Sequence, residues 1–282
     1  MIAPGRARRP GAFVGSIEDP TPEELESCPF CEGREGRTPP ETDAIADRER
    51  EPNTPGWKIR VVPNLYPALE RQEVVIHSPQ HVRTFADLDD GQLDLVAAVW
   101  TSHLAGLAEA EGFAYVHAMI NEGRFAGASL AHSHSQLVWL REPPPAVVAE
   151  RTDDCRVCEL LGSDELRVGQ SENGVVAIVH PAGRVPYELL IASRSHDSAG
   201  WGSRLAGALG LLRDSIRSLR ALEGPVPWNA WLHLGAHWHL EVVPRLTVFA
   251  GLELGAEIYV NVVEPAAAAA RLREVTLSGA AE

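Results

Sequence analysis

The chain carries one arrangement of metal-binding residues twice. Cys28-Pro29-Phe30-Cys31 is followed by His81, at the end of the apolar run VVIHSPQH, and then by His132-Ser133-His134. Cys155-Arg156-Val157-Cys158 is followed by His196, after the run LLIAS, and then by His237-Trp238-His239. The intervals within each copy are nearly equal, and every cysteine of the chain falls into one of the two pairs. Zinc takes four tetrahedral ligands from thiolate and imidazole, and a closed set of four is structural. Bringing such distant residues onto one ion, twice and in the same order, predicts a duplicated fold with two metal sites.

Length and charge narrow what that fold can do. A chain of 282 residues forms one large domain or two of ordinary size, and the repeat favours two packed halves. A net charge of −14 excludes a sequence-independent grip on nucleic acid, which needs clustered Lys and Arg, so no nucleic-acid partner is expected. A nucleotide remains possible, because one basic pocket can sit on an acidic protein. The opening MIAPGRARRP is rich in arginine but lacks the apolar core of a signal peptide, and no apolar run is long enough to span a bilayer. The expectation is a cytoplasmic chain with no membrane partner. A reducing compartment agrees with cysteine pairs that hold metal.

Along the chain, residues 1–57 read as largely irregular, with the first cysteine pair as a knuckle inside them. Strands are predicted over 59–64, 73–79, 113–121 and 132–140, with a helix from Asp89 to Glu111. Glu142-Pro143-Pro144-Pro145 marks a join. The order then repeats: strands at 175–181 and 187–193, a helix over 200–222, strands in WNAWLHL and HWHLEVVPR, a strand at 256–263 and an alanine-rich helix at 265–274. The fold class is α+β, with antiparallel sheets and one long helix per half.

Alternate residues of a strand share a face, so His132, His134 and Gln136 point together while Ser133 and Ser135 point away. A lone histidine in a strand is ordinarily structural. Three polar side chains on one face, just after the glycine-rich segment NEGRFAGAS, form a different pattern. That segment offers backbone N–H groups and a hydroxyl to an anion. With Cys28, Cys31, His81 and His132 closing one zinc site, His134 is left free to attack phosphorus, and Gln136 to donate to a phosphoryl oxygen. A backbone carbonyl of the glycine-rich region is expected to hold the far nitrogen of His134.

The motifs APGRARRP, CPFC, VVPNLYPAL, VVIHSPQH, NEGRFAGASLAHSHSQ, HWHLEVVPRLT and GLELGAEIYVN resemble, in order and over nearly the whole chain, the galactose-1-phosphate uridylyltransferase family. That family is a nucleotidyltransferase branch of the histidine-triad superfamily. The resemblance implies a duplicated histidine-triad-like fold with pseudo-twofold halves, 1–145 carrying the zinc knuckle and nucleophile and 146–282 a second metal site. It implies a ping-pong enzyme with two zinc ions, in which His134 takes a nucleoside monophosphate and Gln136 steadies the α-phosphate. It further places Arg6 and Arg9 at the phosphates, Phe30 and Asn64 around base and ribose, Asn121 on the nucleotide side, Gly127 and Ser129 at the phosphate, and Glu253 on sugar hydroxyls. Relatives are commonly homodimers with sites shared between subunits.

Some points stay open within the resemblance. The second metal site is either Cys155, Cys158, His196 and His237, or a Glu and three His drawn from Glu150, His233, His237 and His239. Glu241 stands where Gln136 stands in the first half, so that half is expected to be structural or to serve the partner subunit's pocket. The family pattern begins with a strand ahead of APGRARRP, so either the start is misplaced or that strand is missing. The loop between His233 and His237 is short. His-Ser-His-Ser-Gln departs from the His-Pro-His-Gly-Gln of uridylyltransferases and resembles an adenylyl-transferring branch like ADP-glucose phosphorylase. The default substrates are UDP-glucose and galactose 1-phosphate. The runner-up is adenylyl transfer from ADP-glucose or a dinucleoside polyphosphate, and a zinc-stabilised nucleotide binder without turnover is a third reading.

Overall fold

A computed structural model describes residues 1–4, 19–150, 154–196 and 200–279. The β-branched runs become strands: β1 (Asp43–Ala46), β2 (Trp57–Pro63), β3 (Arg71–Ile76), β4 (Tyr115–Glu122), β5 (His134–Leu140), β6 (Arg167–Gln170), β7 (Val175–Val179), β8 (Leu189–Ser193), β9 (Trp228–His233) and β10 (His239–Pro244). The helices are α1 (Pro22–Ser27), α2 (Asp90–Ala105), α3 (Pro145–Ala149), α4 (Arg156–Leu160), α5 (Trp201–Glu223), α6 (Gly251–Ala256) and α7 (Pro265–Gly279).

The strands form one antiparallel sheet in the order β1-β2-β3-β5-β4-β9-β10-β8-β7-β6. Read from either edge inward, this is the same sequence of connections, as a duplicated α+β unit requires. The two strand sets meet edge to edge through β4 and β9, with Met119 opposite Trp231 and Asn121 opposite Asn229. The antiparallel α+β arrangement is as expected, with the strands of both halves joined in one sheet. Pairing β4 with β9 satisfies backbone groups that two separate sheets would each leave at an edge.

One face of the sheet is covered by helices. α2 packs on β2 and β4, α5 on β6, β7 and β8, and the two helices pack on each other. Asp89 starts α2 by accepting a hydrogen bond from Gln92 N, and Leu93, Val96, Ala97, Trp100 and Leu104 turn inward. In α5 the inward row is Leu205, Leu209, Leu212, Ile216 and Leu219, and Gly224 at φ +78° ends the helix. These rows join Ile59, Val61, Val75, Leu137, Ile191 and Leu240 in a core that runs through both strand sets. Each such buried side chain contributes about 2 kcal/mol of burial. On the opposite face, two smaller clusters tie the cysteine knuckles down. Cys28 and Phe30 pack on Trp57, Val62, Val74 and Ile76, while Cys155 and Val157 pack on Leu166, Ile178, Leu190 and Ala192.

Three local expectations are revised. The first 57 residues contain α1 and β1, the latter paired with β2. The helix from Asp89 stops at Ala105 and passes into a 3₁₀ turn, Gly106–Glu109. Residues 256–263 are not a strand. α6 occupies their start, and Asn261 makes a single bridge to Ile2 while its side chain donates to Gly183 O and Val185 O. The alternation there belongs to a segment bridged to residues 1–3 rather than to the sheet.

Candidate active site

The strand that carries His134 is held from three sides. β5 lies between β3 and β4, with Ile76 opposite His134 and Val74 opposite Gln136. His134 and Gln136 therefore share the face free of α2, and Phe30 from the cysteine knuckle sets its ring edge-on to His134 at 5.4 Å and to His132 at 5.9 Å. His134 Nδ1 lies 2.7 Å from the carbonyl oxygen of His132. A carbonyl only accepts, so Nδ1 carries the proton and Nε2 keeps its lone pair. The anchoring carbonyl belongs to the strand itself, two residues back, rather than to the glycine-rich turn. Burial pushes the His134 imidazole below the usual histidine range, against the opposing pull of that hydrogen bond, so the ring is neutral at pH 7.

His134 opens onto a cavity of about 1120 Å3 whose walls include Asn121, Arg124, Gly127, Ser129 and, from α5, Arg220. The turn before β5 needs its glycines. Gly123 (φ +83°) and Gly127 (φ +93°) lie in the left-handed region, and a Cβ on Gly123 would come within 2.9 Å of Pro227. The N–H groups of Ala126, Gly127 and Ala128 donate back to Gly123 O and Arg124 O. The loop thus lines the cavity with Arg124 and Ser129. Asn121 Oδ1 accepts from Asn229 Nδ2 at 2.7 Å across the β4–β9 seam. Asn64 opens the loop into β3, its Oδ1 taken by Tyr66 N. Glu253 is buried in α6, and its Oε2 accepts from Ala250 N. Arg6 and Arg9 lie outside the described residues.

The metal-ligand groups assemble as tetrads. Cys28, Cys31, His81 and His132 converge, as do Cys155, Cys158, His196 and His237, with ligand atoms within 4.8 Å of one another. Tetrahedral zinc with ordinary Zn–S and Zn–N bonds sets sulfur and nitrogen about 3.6 Å apart. The observed Sγ···Nδ1 distances are 3.4 Å for Cys28–His132, 3.3 Å for Cys31–His81 and 3.8 Å for Cys31–His132. In the second group they are 3.3 Å for Cys155–His237, 3.4 Å for Cys158–His237 and 3.5 Å for Cys158–His196. The outward nitrogens are committed elsewhere: His132 Nε2 to Ser78 O, His81 Nε2 to Glu24 Oε1 and His237 Nε2 to Ser193 O. Such outer partners orient Nδ1 toward a metal. Burial, then the adjacent Cys28 sulfur, push the Cys31 thiol up to about 12, so paired thiolates here need the charge of a cation. The residues fit zinc.

The halves mirror each other in detail. His239 Nδ1 bonds His237 O at 3.0 Å, as His134 bonds His132 O. Where Gln136 is half-buried and neutral, Glu241 is engaged by Arg184. Of the alternative metal group, Glu150, His233 and His239 come together with Glu241, whereas His237 sits with the cysteines. The two groups therefore coexist.

Sequence reasoning missed two residues beside β5. His77, fully buried, reaches Ser133 Oγ at 3.0 Å and Ser135 Oγ at 2.9 Å, on the side facing α2. Gln72 donates to Gln136 at 2.6 Å. Their only sequence signal was polarity inside an apolar strand run.

A neutral histidine with a fixed tautomer, facing a cavity lined by arginines on a duplicated sheet with two Cys₂His₂ groups that could hold metal, is the equipment of a nucleotidyltransferase. The chain belongs to the galactose-1-phosphate uridylyltransferase family, whose N-terminal domain model (galactose-1-phosphate uridyl transferase) matches residues 66–144. It is similar to ADP-glucose phosphorylase of Arabidopsis thaliana, with 30% identity over 99% of this chain and 90% of that protein. It is also similar to galactose-1-phosphate uridylyltransferase of Thermotoga maritima, 25% identical over 88% of this chain and 89% of the other. Among solved structures, an ADP-glucose phosphorylase from Arabidopsis thaliana with bound ADP-glucose superposes with a TM-score of 0.80 at 28% identity, covering 97% of this chain and 94% of that one.

Proposed function

We propose that this protein moves an adenylyl group from ADP-glucose to phosphate through a covalent intermediate on His134. His134 Nε2 attacks the α-phosphorus, a phosphorus–nitrogen bond forms, and the bond to glucose 1-phosphate breaks. A phosphate oxygen then attacks the same phosphorus, the phosphorus–nitrogen bond breaks, and ADP leaves with the histidine free again. The observation that carries the reading is the Nδ1–H···O=C bond from His134 to His132, which leaves a neutral, buried Nε2 at the cavity. Gln136 sits two residues along the same face to steady the phosphate. Arg124 and Ser129 supply further donors. Zinc at the two Cys₂His₂ groups holds the knuckle and strand together and takes no part in the transfer.

The choice of adenine over the default uracil rests on likeness. The similarity to ADP-glucose phosphorylase extends over more of the chain, and at higher identity, than the similarity to the Thermotoga maritima uridylyltransferase. Serines flanking His134 agree with it. The domain division at residue 145 and a homodimer complete the reading; limited proteolysis and equilibrium sedimentation check them.

The test is a ³¹P NMR assay of zinc-replete protein with ADP-glucose plus phosphate, beside UDP-glucose plus galactose 1-phosphate. Turnover of the first pair, with acid-labile label on His134 from donor labelled in its α-phosphate, is the expected result. Turnover of only the second pair would return the protein to uridylyl transfer. Silence in both would leave a nucleotide binder.

A further inference from the structure

We propose that Gln72 is a positioning residue that sets which end of the Gln136 amide faces the reacting phosphate. This rests on the reading above, in which Gln136 steadies the α-phosphate beside His134. Gln72 pairs with Val138 and Val74 with Gln136, so the two glutamines are diagonal neighbours on the face that carries His134.

The direction of the hydrogen bonds is fixed by a donor that cannot be reversed. The backbone N–H of Ala68 reaches the Gln72 side chain at 2.9 Å, and a peptide nitrogen has only a proton to offer, so the receiving atom is Oε1. The NH₂ of Gln72 is then the group that meets Gln136, at 2.6 Å, and it must find an acceptor there. That acceptor is Gln136 Oε1. A half-turn of the Gln136 amide would set two NH₂ groups against each other at this distance. With its oxygen committed, Gln136 directs its NH₂ away from Gln72. A phosphoryl oxygen only accepts, so this is the one orientation useful to it. Donors aligned before the reaction need no reorganisation when charge develops.

The same chain of bonds ties the amide to the loop between β2 and β3. Asn64 N donates to Gln72 O at 2.8 Å, and Tyr66 N donates to Asn64 Oδ1 at 3.0 Å. Gln72 is buried at 9% exposure, whereas residues 65–70 are exposed. Order in an exposed loop is thus transmitted through one buried side chain to a group at the reacting phosphate.

The experiment is the single-turnover rate of His134 labelling from α-³²P-labelled ADP-glucose, in a double-mutant cycle. Gln136→Ala should slow labelling about a hundredfold, as loss of a preorganised donor does. Gln72→Met, similar in shape but without hydrogen-bonding groups, should slow it about tenfold at saturating donor, with donor Kd, zinc content and Tm unchanged. In the Gln136→Ala background, Gln72→Met should have no further effect, because the amide it orients is gone. Gln72→Glu keeps the acceptor for Ala68 N and removes the donor; it should slow the wild type and leave the Gln136→Ala enzyme unaffected. Additive losses in the cycle, or a wild-type rate in Gln72→Met, overturn the proposal while leaving the role of Gln136 standing. A wild-type rate in Gln136→Ala overturns that role and this proposal with it.

Discussion

At the scale of single residues, two histidines two residues apart at the entry to β5 divide the labour. His132 Nδ1 faces the cysteine sulfurs, and His134 Nδ1 faces the carbonyl of His132. Substituting each should give opposite phenotypes. His134→Ala should retain both zinc ions and its melting temperature yet lose at least about a thousandfold in transfer, because a nucleophile has no substitute. His132→Ala should lose one zinc and about 3 kcal/mol of stability, since structural metal binding is linked to folding. Metal analysis, calorimetry and the transfer assay together read both. Equal zinc content in wild type and His132→Ala would refute the ligand assignment.

At the scale of elements, β5 is fastened from behind as well as in front. His77 spans Ser133 and Ser135, Trp100 Nε1 donates to Ser135 Oγ at 2.9 Å, and Gln92 of α2 donates to the His77 carbonyl. Burial holds His77 well below the usual histidine range, so the ring is neutral and serves as donor to one serine and acceptor from the other. His77→Phe leaves two buried hydroxyls without that partner and should cost about 2 kcal/mol. Adding Ser133→Ala should recover part of the loss, since removing both partners costs less than orphaning one, while Ser135 keeps its bond from Trp100. Urea midpoints at constant slope measure this. A double variant less stable than the single one would show that Ser133 has uses beyond His77.

Across the whole molecule, the duplicated sites are chemically alike and unequally protected. Cys28 and His132 are 5% and 1% exposed, whereas Cys158 and His196 are exposed. Excess chelator should therefore remove metal in two phases, the C-terminal ion first, with activity outlasting the first phase; simultaneous loss would contradict the unequal protection. Acid should destabilise the fold from a different cause. Burial, then His233, lower His117 from 6.5 to about 4, and His77 is lowered as well. As pH falls below about 6.5, the unfolded chain binds protons that these folded rings refuse, so stability declines. His117 alone accounts for about 3 kcal/mol by pH 4. His117→Gln should flatten the melting temperature between pH 6.5 and 4; an unchanged slope would refute the contribution.

Much of this was legible in the chain order of residue types. Two Cys-x-x-Cys pairs with their histidines pointed to the first tetrad and left the second between two ligand sets, because few residue types make soft metal ligands and those were present in repeated order. The period-two alternation of β5 puts His134 and Gln136 on one face, since side-chain direction in a strand is a local property. The row of leucines in α5 likewise announced its buried side. Other features had no local signature. The pairing of β4 with β9, the partition of His237 to the cysteines and Glu241 to Glu150, and the helix-side contact of His77 with two serines all join residues distant in sequence. The strand expected at 256–263 failed for the same reason, because a strand exists only where a neighbour offers an edge. Composition and spacing determined which groups could do chemistry; only the tertiary structure decided which way a single amide or imidazole faces, because hydrogen-bond direction depends on the partner brought against it.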